Sequence, residues 1–328
     1  MSNIIKDCIY GFISVPKLCH SFMDTYMFQR LRTIKQLGLV YMVYPGAVHT
    51  RLEHSLGVMY LAGEVVKILK ETGCDITARE KELVQLAGLY HDVGHMAFSH
   101  LLDHILVDSD KHEQRSITAL KEVNSKLNLL TEAEEEMVSA MIMGEVKDEK
   151  PYLYEIIHNS RCGLDVDRFD YLQRDAYHTG IPGFQSDYLI NCIRANKQGN
   201  ICFKQKARNE VESLYEARKR MFSNVYRHKT VLAIEELIRK IMNELGIINK
   251  VSKTISDTIC EINNSDSSII NWWTLDDVEL LHLLRQSEQF SQIYNRSWER
   301  SVLNTNFENC SDISRDEIKD TMNKVLFL

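Results

Sequence analysis

The stretch Gly88-Leu-Tyr-His-Asp-Val-Gly-His95 decides how this chain is read. Leu83, Leu86, Ala87 and Tyr90 fall on one helical stripe, which predicts a helix over 78–92 with that stripe buried and Gly94 releasing the chain. His91 and Asp92 then stand side by side at the end of an apolar helix, a poor core and a good half of a metal site. Alone, the pair would read as a capped helix end whose polar groups face water. The other half is present in Arg51-Leu-Glu-His-Ser-Leu-Gly57, which carries His54, and in Gly163-Leu-Asp-Val-Asp-Arg-Phe-Asp-Tyr171, which carries Asp167. A metal that activates water needs fixed ligands and open positions. Two imidazoles and two carboxylates suit a divalent transition metal (Fe, Mn, Zn, Co or Ni) rather than Cu(I). The expected ligands are His54, His91, Asp92 and Asp167. His95 lies one helical turn beyond His91 on the same face, so one of the two can hold metal while the other sits over a substrate.

Further helices are predicted over 22–37, 54–70, 99–107, 112–127, 131–143, 164–177 and 188–195, with Thr131 and Glu134 as a capping box. Residues 7–15 read as an extended segment turning at Gly11, and 200–204 as a short strand. Val211, Leu214, Met221, Val225, Leu232, Leu237, Ile241 and Leu245 predict one long amphipathic helix over 209–245. The 4 Pro end at Pro182, which leaves the second half free to form long helices. The fold class is mainly α with minor short β segments. The polar run 263–268 is the expected boundary between a core of 1–262 and a short C-terminal extension of 263–328, with a small helix inside 272–284.

A formal net charge of -7 argues against broad nucleic-acid coating, which needs a basic footprint, but leaves room for a local basic pocket. The 8 Cys are scattered without a C-x-x-C pair, so neither a zinc ribbon nor a redox motif is indicated. Such thiols suit a reducing compartment. Lys6 and Asp7 precede any apolar run, and no apolar stretch reaches membrane-spanning length. The expectation is a cytoplasmic protein with no membrane partner, nuclear entry being left open.

Arginines and phenols gather around the ligand positions. Arg51 lies three residues before His54, Arg168 follows Asp167, and Tyr171 and Asp175 recur four and eight residues beyond Asp167 on one helix face. The long helix adds Arg218 and Tyr226. Arginine reads phosphate bidentately, and a polyphosphate needs several such cations. Lys219 and Arg220 read more simply as a solvated helix face. His95, His100 and His112 cluster with Asp103 and Glu113, and a carboxylate holding an imidazole makes a usable general acid near neutral pH.

These segments in this order resemble the HD superfamily of metal-dependent phosphohydrolases, and within it the deoxynucleoside triphosphate triphosphohydrolases, including the vertebrate members that join a sterile-alpha-motif domain to an HD domain. The resembling stretches include Asp7-Cys-Ile-Tyr-Gly11, Phe28-Gln-Arg-Leu-Arg32, Ile34-Lys-Gln-Leu-Gly38, Tyr44-Pro-Gly-Ala47, His112-Glu-Gln114, Tyr226 to Lys229 and Asp276-Asp277. The resemblance implies an HD-domain helical phosphohydrolase fold. It implies hydrolysis of a dNTP at the α-phosphorus to a deoxynucleoside and inorganic triphosphate. His112, oriented by Asp103 and near His95, would protonate the leaving 5′-oxygen, and His100 would contact the phosphate or that oxygen. Arg51, Arg168 and Arg218 would neutralise the phosphate tail, with Mg²⁺ bridging it. Gln36, Tyr171 and Asp175 match positions that hold the sugar 3′-hydroxyl, Leu37 and Tyr226 positions that wall off its 2′ side, and Asp165 is counted with the substrate-binding set. Asp24, Gln29 and Arg32 match guanine-recognising positions of an activator-nucleotide site. The implied partners are a dNTP, a guanine-nucleotide activator and further copies of the chain, as a homodimer or higher homo-oligomer.

The chain departs from the family pattern in three places. The C-terminal extension is expected to be short, Phe222 stands where the family has His, and Arg227 where it has Gln. They motivate two competing readings: an HD phosphohydrolase retuned to a nucleoside monophosphate, a cyclic nucleotide or a nucleic-acid end, and a catalytically silent nucleotide-binding regulator. Retention of all four ligands with His112 and Asp103 weighs against the second, because buried charges left unpaired cost stability.

Overall fold

Thr50 and Glu53 start the central helix. Thr50 N donates to Glu53 Oε2 at 2.7 Å in a reciprocal capping box. Helix α3 (Arg51–Glu71) begins there and is buried on nearly every side. The structure, a computed structural model, describes residues 3–105, 111–251, 275–297, 322 and 324–327. The expected boundary at 262/263 and the polar run 263–268 lie outside the described residues.

Elements before α3 are short. Strands β1 (Asn3–Asp7) and β2 (Gly11–Val15) form an antiparallel hairpin with Lys6 opposite Phe12. The helix expected over 22–37 is instead α1 (Lys17–Met23), α2 (Tyr26–Gln29) and a 3-10 turn (Arg30–Thr33). Thr25 breaks it by adopting extended backbone and turning its hydroxyl onto Phe22 O and Tyr90 Oη. Lys35 then pairs with Thr50 as an isolated antiparallel bridge, which brings 35–37 against the start of α3.

Helix α4 (Ala78–Tyr90) packs along α3, and glycine sets the approach. A methyl group on Gly88 would stand 3.3 Å from Met59 Cα, so the two backbones come close where a side chain would separate them. Gly57 does the same on another side of α3, where an added Cβ would strike Asp170 and Arg174. Those two residues sit on α9 (Val166–Thr179), which Asp165 caps by accepting from Arg168 N at 3.0 Å. Between α4 and α9 come α5 (His100–Ile105), α6 (His112–Leu127), α7 (Glu132–Met143) and α8 (Pro151–Glu155). Helices α6 and α7 agree with their predicted spans, and the cap at Thr131 with its reciprocal Glu134 is present.

The helix expected over 188–195 ends early. α10 (Asp187–Cys192) gives way to β3 (Ile193–Ala195), which pairs antiparallel with β4 (Ile201–Phe203). The single helix expected over 209–245 is also broken. α11 (Arg208–Met221) runs into a π turn (Phe222–Tyr226), and α12 (Lys229–Glu244) restarts after His228, whose Nδ1 accepts from Thr230 N at 3.3 Å. Val225 stays buried through the π turn, so the apolar pattern hides the break. α13 (Asp277–Leu284), capped by Asp276, and α14 (Phe290–Asn295) complete the described helices. The protein is mainly α with short antiparallel strands. No helix among the described residues is long and apolar enough to cross a membrane.

Candidate active site

Three helix ends converge on one point. His54 comes from the first turn of α3, His91 and Asp92 from the C-terminal end of α4, and Asp167 from the first turn of α9. His54 Nε2 lies 3.2 Å from His91 Nε2, 3.1 Å from Asp167 Oδ1 and 3.5 Å from Asp92 Oδ2. His91 Nε2 lies 3.4 Å from Asp92 Oδ1 and 3.5 Å from Asp167 Oδ1. The four expected ligands are thus brought together.

The donor set fits a divalent metal on two grounds. Ligand atoms ~2.1 Å from one ion lie roughly 3.0–3.4 Å apart; His54, His91 and Asp167 stand 3.1–3.5 Å from one another, close to that spacing, with Asp92 3.4–3.5 Å from the two histidines. The tautomers also agree. His54 Nδ1 is 2.7 Å from Asp170 Oδ2 and His91 Nδ1 is 2.8 Å from Gly88 O, and neither acceptor can donate. Both Nδ1 atoms therefore carry the proton, and in the neutral rings both Nε2 lone pairs point into the same space. Two lone pairs at 3.2 Å repel unless a proton or a metal cation lies between them. The carboxylates state the same demand. Burial disfavours a charged His54, but Asp167, Asp170 and Asp92 outweigh it and push its pKa up to about 10. Burial likewise opposes ionised Asp92 and Asp167, yet Arg51 with His91 and His95 holds the first well below the usual carboxylate range, and His54 with His91 lowers the second.

The turn that carries His91 to His95 is fastened from two sides. Arg30 donates from Nη1 to Val93 O at 2.8 Å and from Nη2 to His95 O at 2.7 Å. On α6, Ser116 Oγ donates to His91 O at 2.6 Å and accepts from Gly94 N at 2.8 Å, while Arg115 Nε donates to Gly94 O at 2.8 Å. A Cβ on Gly94 would collide with His112 O and Ser116 N, so glycine there sets how closely α6 approaches.

His112, at the start of α6, stacks on His95 with ring centroids 4.0 Å apart, and its Nε2 is 4.0 Å from Asp92 Oδ1. Burial, with His95 alongside, holds its pKa well below the ordinary imidazole value. The expectation that Asp103 orients His112 is corrected by this geometry. Asp103 Oδ2 is 3.2 Å from His95 Nδ1, its Oδ1 is taken by Arg115, and the carboxylate nearest His112 Nδ1 is Glu113, at 3.4 Å. α6 turns His112 Nδ1 toward its own neighbour, which leaves Asp103 to His95. His100 faces this pair edge-on, 5.1 Å from His95 and 6.2 Å from His112.

The expected substrate residues divide into two groups. Gln36 is buried with Oε1 unpartnered, and Leu37 beside it is half-buried. Asp175 is buried, with His49 Nε2 2.8 Å from Oδ1 and Tyr226 Oη donating to Oδ2 at 2.7 Å. Tyr171 and Tyr226 meet edge to face at 6.4 Å. The π turn places Tyr226 here by inserting one residue into the helix and rotating the residues beyond it. Arg168 and Arg218 both lower the Tyr171 hydroxyl's pKa against the larger effect of burial, which pushes it up to about 12, so both cations face this corner. Two residues differ from expectation. Asp165 is consumed by capping α9 and by Arg168 Nη1 at 2.7 Å and Asn159 N at 3.1 Å. Arg51 is buried, with Nη1 on the ligand residue Asp92 and Nε on Ser99 Oγ at 2.9 Å, so two of its donors are engaged within the protein.

Asp24 ends α1, Gln29 ends α2 and Arg32 lies in the 3-10 turn that follows. Arg32 Nε donates to Gln29 Oε1 at 2.7 Å, and Asp24 pairs with His20 at 3.3 Å. Phe222 and Arg227, the two departures, touch each other, with the guanidinium 5.1 Å from the ring centroid. Sequence reasoning missed His49, Arg30, Arg115, Asp170 and Arg174. Only the last pair left a visible signal, being four residues apart on one helix with Arg174 Nε donating to Asp170 Oδ2 at 2.9 Å.

Comparison with known proteins gives the same direction. The HD domain family model matches residues 51–175. An HD domain-containing protein of Acanthamoeba polyphaga mimivirus is 32% identical over 308 residues, 87% of this chain and 67% of that protein. The deoxynucleoside triphosphate triphosphohydrolase SAMHD1 homolog of Dictyostelium discoideum is 35% identical over 292 residues, 85% of this chain and 56% of the relative. SAMHD1 of Homo sapiens is 34% identical over 271 residues, 72% of this chain and 43% of the relative. The chain thus spans between 43% and 67% of the length of these relatives. An HD domain implies divalent-metal binding, and the clustered His and Asp side chains supply the donors. The chain belongs to the HD domain family, and its similarity extends to the deoxynucleoside triphosphate triphosphohydrolases among these relatives.

Proposed function

We propose that this chain hydrolyses a dNTP at its α-phosphorus, releasing a deoxynucleoside and inorganic triphosphate. The observation that carries the reading is the convergence of His54, His91, Asp92 and Asp167 beside the stacked His95–His112 pair. His54, His91, Asp92 and Asp167 would hold a divalent transition metal (Fe, Mn, Zn, Co or Ni), which would supply Lewis acidity toward a phosphoryl oxygen.

The chain's own groups do the rest. A water oxygen attacks the α-phosphorus, the bond to the 5′-oxygen breaks, that oxygen takes a proton from His112, and the proton the water sheds restores the imidazole. Burial and the neighbouring His95 hold the His112 pKa well below the ordinary imidazole value. The negative charge of a bound triphosphate supports the proton it must give. His95 fixes the His112 ring by stacking, and His100 stands at the edge of the same space. Arg168 and Arg218 meet the phosphate tail, where Mg²⁺ would add further neutralising charge, while Arg51 braces Asp92. The unpartnered Gln36 Oε1, with Asp175 and Tyr171, takes the sugar 3′-hydroxyl, and Leu37 with Tyr226 closes the 2′ side. Asp24, Gln29 and Arg32 are proposed as part of a guanine-nucleotide activator site, and a homodimer or higher oligomer as the working form. Residues 1–262 are proposed as the catalytic unit. The Phe222–Arg227 pair beside Tyr226 favours, as second reading, an altered nucleotide preference with the same bond chemistry.

Metal-loaded protein incubated with dATP, dGTP and ATP, singly and mixed, with products resolved by anion exchange, tests this. Triphosphate from a dNTP alone supports hydrolysis without an activator, and triphosphate only from mixtures supports the activator site. No triphosphate from any of them, with metal verified in place, overturns the proposal.

A further inference from the structure

α13 contributes a buried carboxylate to the active-site scaffold from the far end of the described chain. Asp276 is consumed in capping the helix, accepting from Val278 N and Glu279 N at 2.9 Å each. Asp277 points the other way and its side chain is 0% exposed. Its Oδ1 accepts from Phe98 N at 2.8 Å and its Oδ2 from Lys35 N at 3.0 Å, with Lys35 Nζ at 3.6 Å. A fully buried carboxylate is costly unless paired, so this arrangement is specific.

Both amides belong to segments that carry site residues. Lys35 directly precedes Gln36 and Leu37. Phe98 comes after the His91–His95 turn and, with Ser99, adopts the left-handed backbone region at φ 54° and 51°, which non-glycine residues seldom occupy. Such strain persists only where surrounding contacts hold it. The next link is short. Ser99 Oγ donates to Lys35 O at 2.9 Å and accepts from Arg51 Nε at 2.9 Å, and Arg51 Nη1 donates to Asp92. The two segments also touch backbone to backbone, for a Cβ on Gly38 would stand 3.0 Å from Phe98 O.

We infer that Asp277 is a positioning residue that clamps the 35–37 and 96–99 segments together and, through Ser99 and Arg51, fixes the orientation of Asp92 in the metal site. The inference rests on the proposed metal-dependent reading of that site. Asparagine is close to isosteric with aspartate but offers one acceptor oxygen and one donor nitrogen to two N–H groups, so one amide must face another donor.

The test compares the full chain with its Asp277→Asn variant, using Asp276→Ala as a control that removes only the helix cap. Three readouts are taken: amide exchange at Lys35 and Phe98, the visible absorption spectrum of the cobalt-loaded protein, and kcat and KM for dATP. The expected result for Asp277→Asn is faster exchange at one of the two amides and a changed cobalt spectrum. Its kcat should fall about tenfold, the low end for losing an outer support of a metal ligand, with KM within about threefold. Asp276→Ala should lose stability and keep the wild-type spectrum. An unchanged spectrum and kcat in Asp277→Asn, at whatever stability, overturn the inference. Should Asp277→Asn fail to fold, Ser99→Ala breaks the same path one link later, and an unchanged cobalt spectrum there overturns it equally. A wild-type chain that releases no triphosphate overturns the proposed reaction instead, and the cobalt spectrum still decides the clamp.

Discussion

His49 Nε2 lies 2.8 Å from Asp175 Oδ1, in a contact closed to solvent on both sides. His178 stacks on the His49 ring at 4.2 Å with the planes 12° apart, so the imidazole is held flat while it addresses the carboxylate. Asp175 is thereby fixed from two directions, by His49 and by Tyr226. His49→Phe keeps the stack and much of the volume but removes the polar contact. The expected outcome is a KM for dATP raised about tenfold, matching ~1.5 kcal/mol for a hydrogen bond to a charged group, with a smaller change in kcat. Steady-state kinetics check this, and an unchanged KM would mean that sugar binding does not depend on how Asp175 is held.

Asp170 supports the metal site without facing it. Its Oδ2 holds His54 Nδ1, and both its oxygens engage Arg174 at 2.9 Å. Asp170→Asn should lower metal affinity about 10–100-fold, as loss of a ligand's outer partner does. It should also destabilise the fold by about 3 kcal/mol, because Arg174 is left buried with a weaker partner. Chelation followed by back-titration with Mn²⁺ measures the first effect and urea unfolding the second. Equal metal affinities in the variant and the parent chain would remove Asp170 from the site.

Gly94 separates metal binding from proton donation. Gly94→Ala places a methyl against His112 O and Ser116 N, which must push the start of α6 away from the His91–His95 turn. The expected variant binds metal within about threefold of the parent but loses about 10²-fold in kcat, the low end for a displaced general acid. Metal retention with undiminished turnover would show that His112 is not the proton donor.

Glu235 gives a pH-dependent stability away from the site. Burial pushes its carboxyl up to about 7, against the opposing charge of Arg227. The folded chain therefore keeps this proton between about 4.5 and 7, where the unfolded chain has released it. Protons bound by the folded state over that window make stability fall as pH rises. Glu235→Gln should match the parent at pH 4.5 and exceed it above pH 7 by at most about 3 kcal/mol, less for the solvent that still reaches this half-buried side chain. Urea unfolding of both proteins at several pH values checks it; parallel curves would contradict the assignment.

The sequence disclosed what local chemistry encodes. His54, His91, Asp92 and Asp167 lie at or just beyond helix ends, and their residue types and order announce a shared site. α6 and α7 were legible because their apolar spacing and terminal residues agree. The break at Phe222–Tyr226 was not, because one inserted residue leaves Val225 buried and the apolar pattern almost unbroken. Thr25 broke the expected 22–37 helix through a contact with Tyr90, which no local rule contains. Arg30 and Arg115 act on backbone carbonyls of the His91–His95 turn, and such partners carry no side-chain signature in either segment. The resemblance pairs Asp103 with His112, whereas here its Oδ2 lies 3.2 Å from His95 Nδ1, because which ring of a stacked pair a carboxylate faces is set by the packing of α5 and α6 and not by residue type.

The hydrogen bond from Lys35 N to Asp277 joins residues 242 positions apart. Residue 167 supplies the last of the four converging side chains, about 110 residues before Asp277. At roughly 5–20 residues per second of synthesis, the interval between them is about 5–20 s. Contacts of such long sequence separation are also the slowest to close once the chain is complete. A nascent chain therefore presents its full donor set to the surrounding ions for seconds before the carboxylate that tightens the neighbouring loops has been made. Where the donor set folds before α13 is made, metal capture would precede the final tightening of the site.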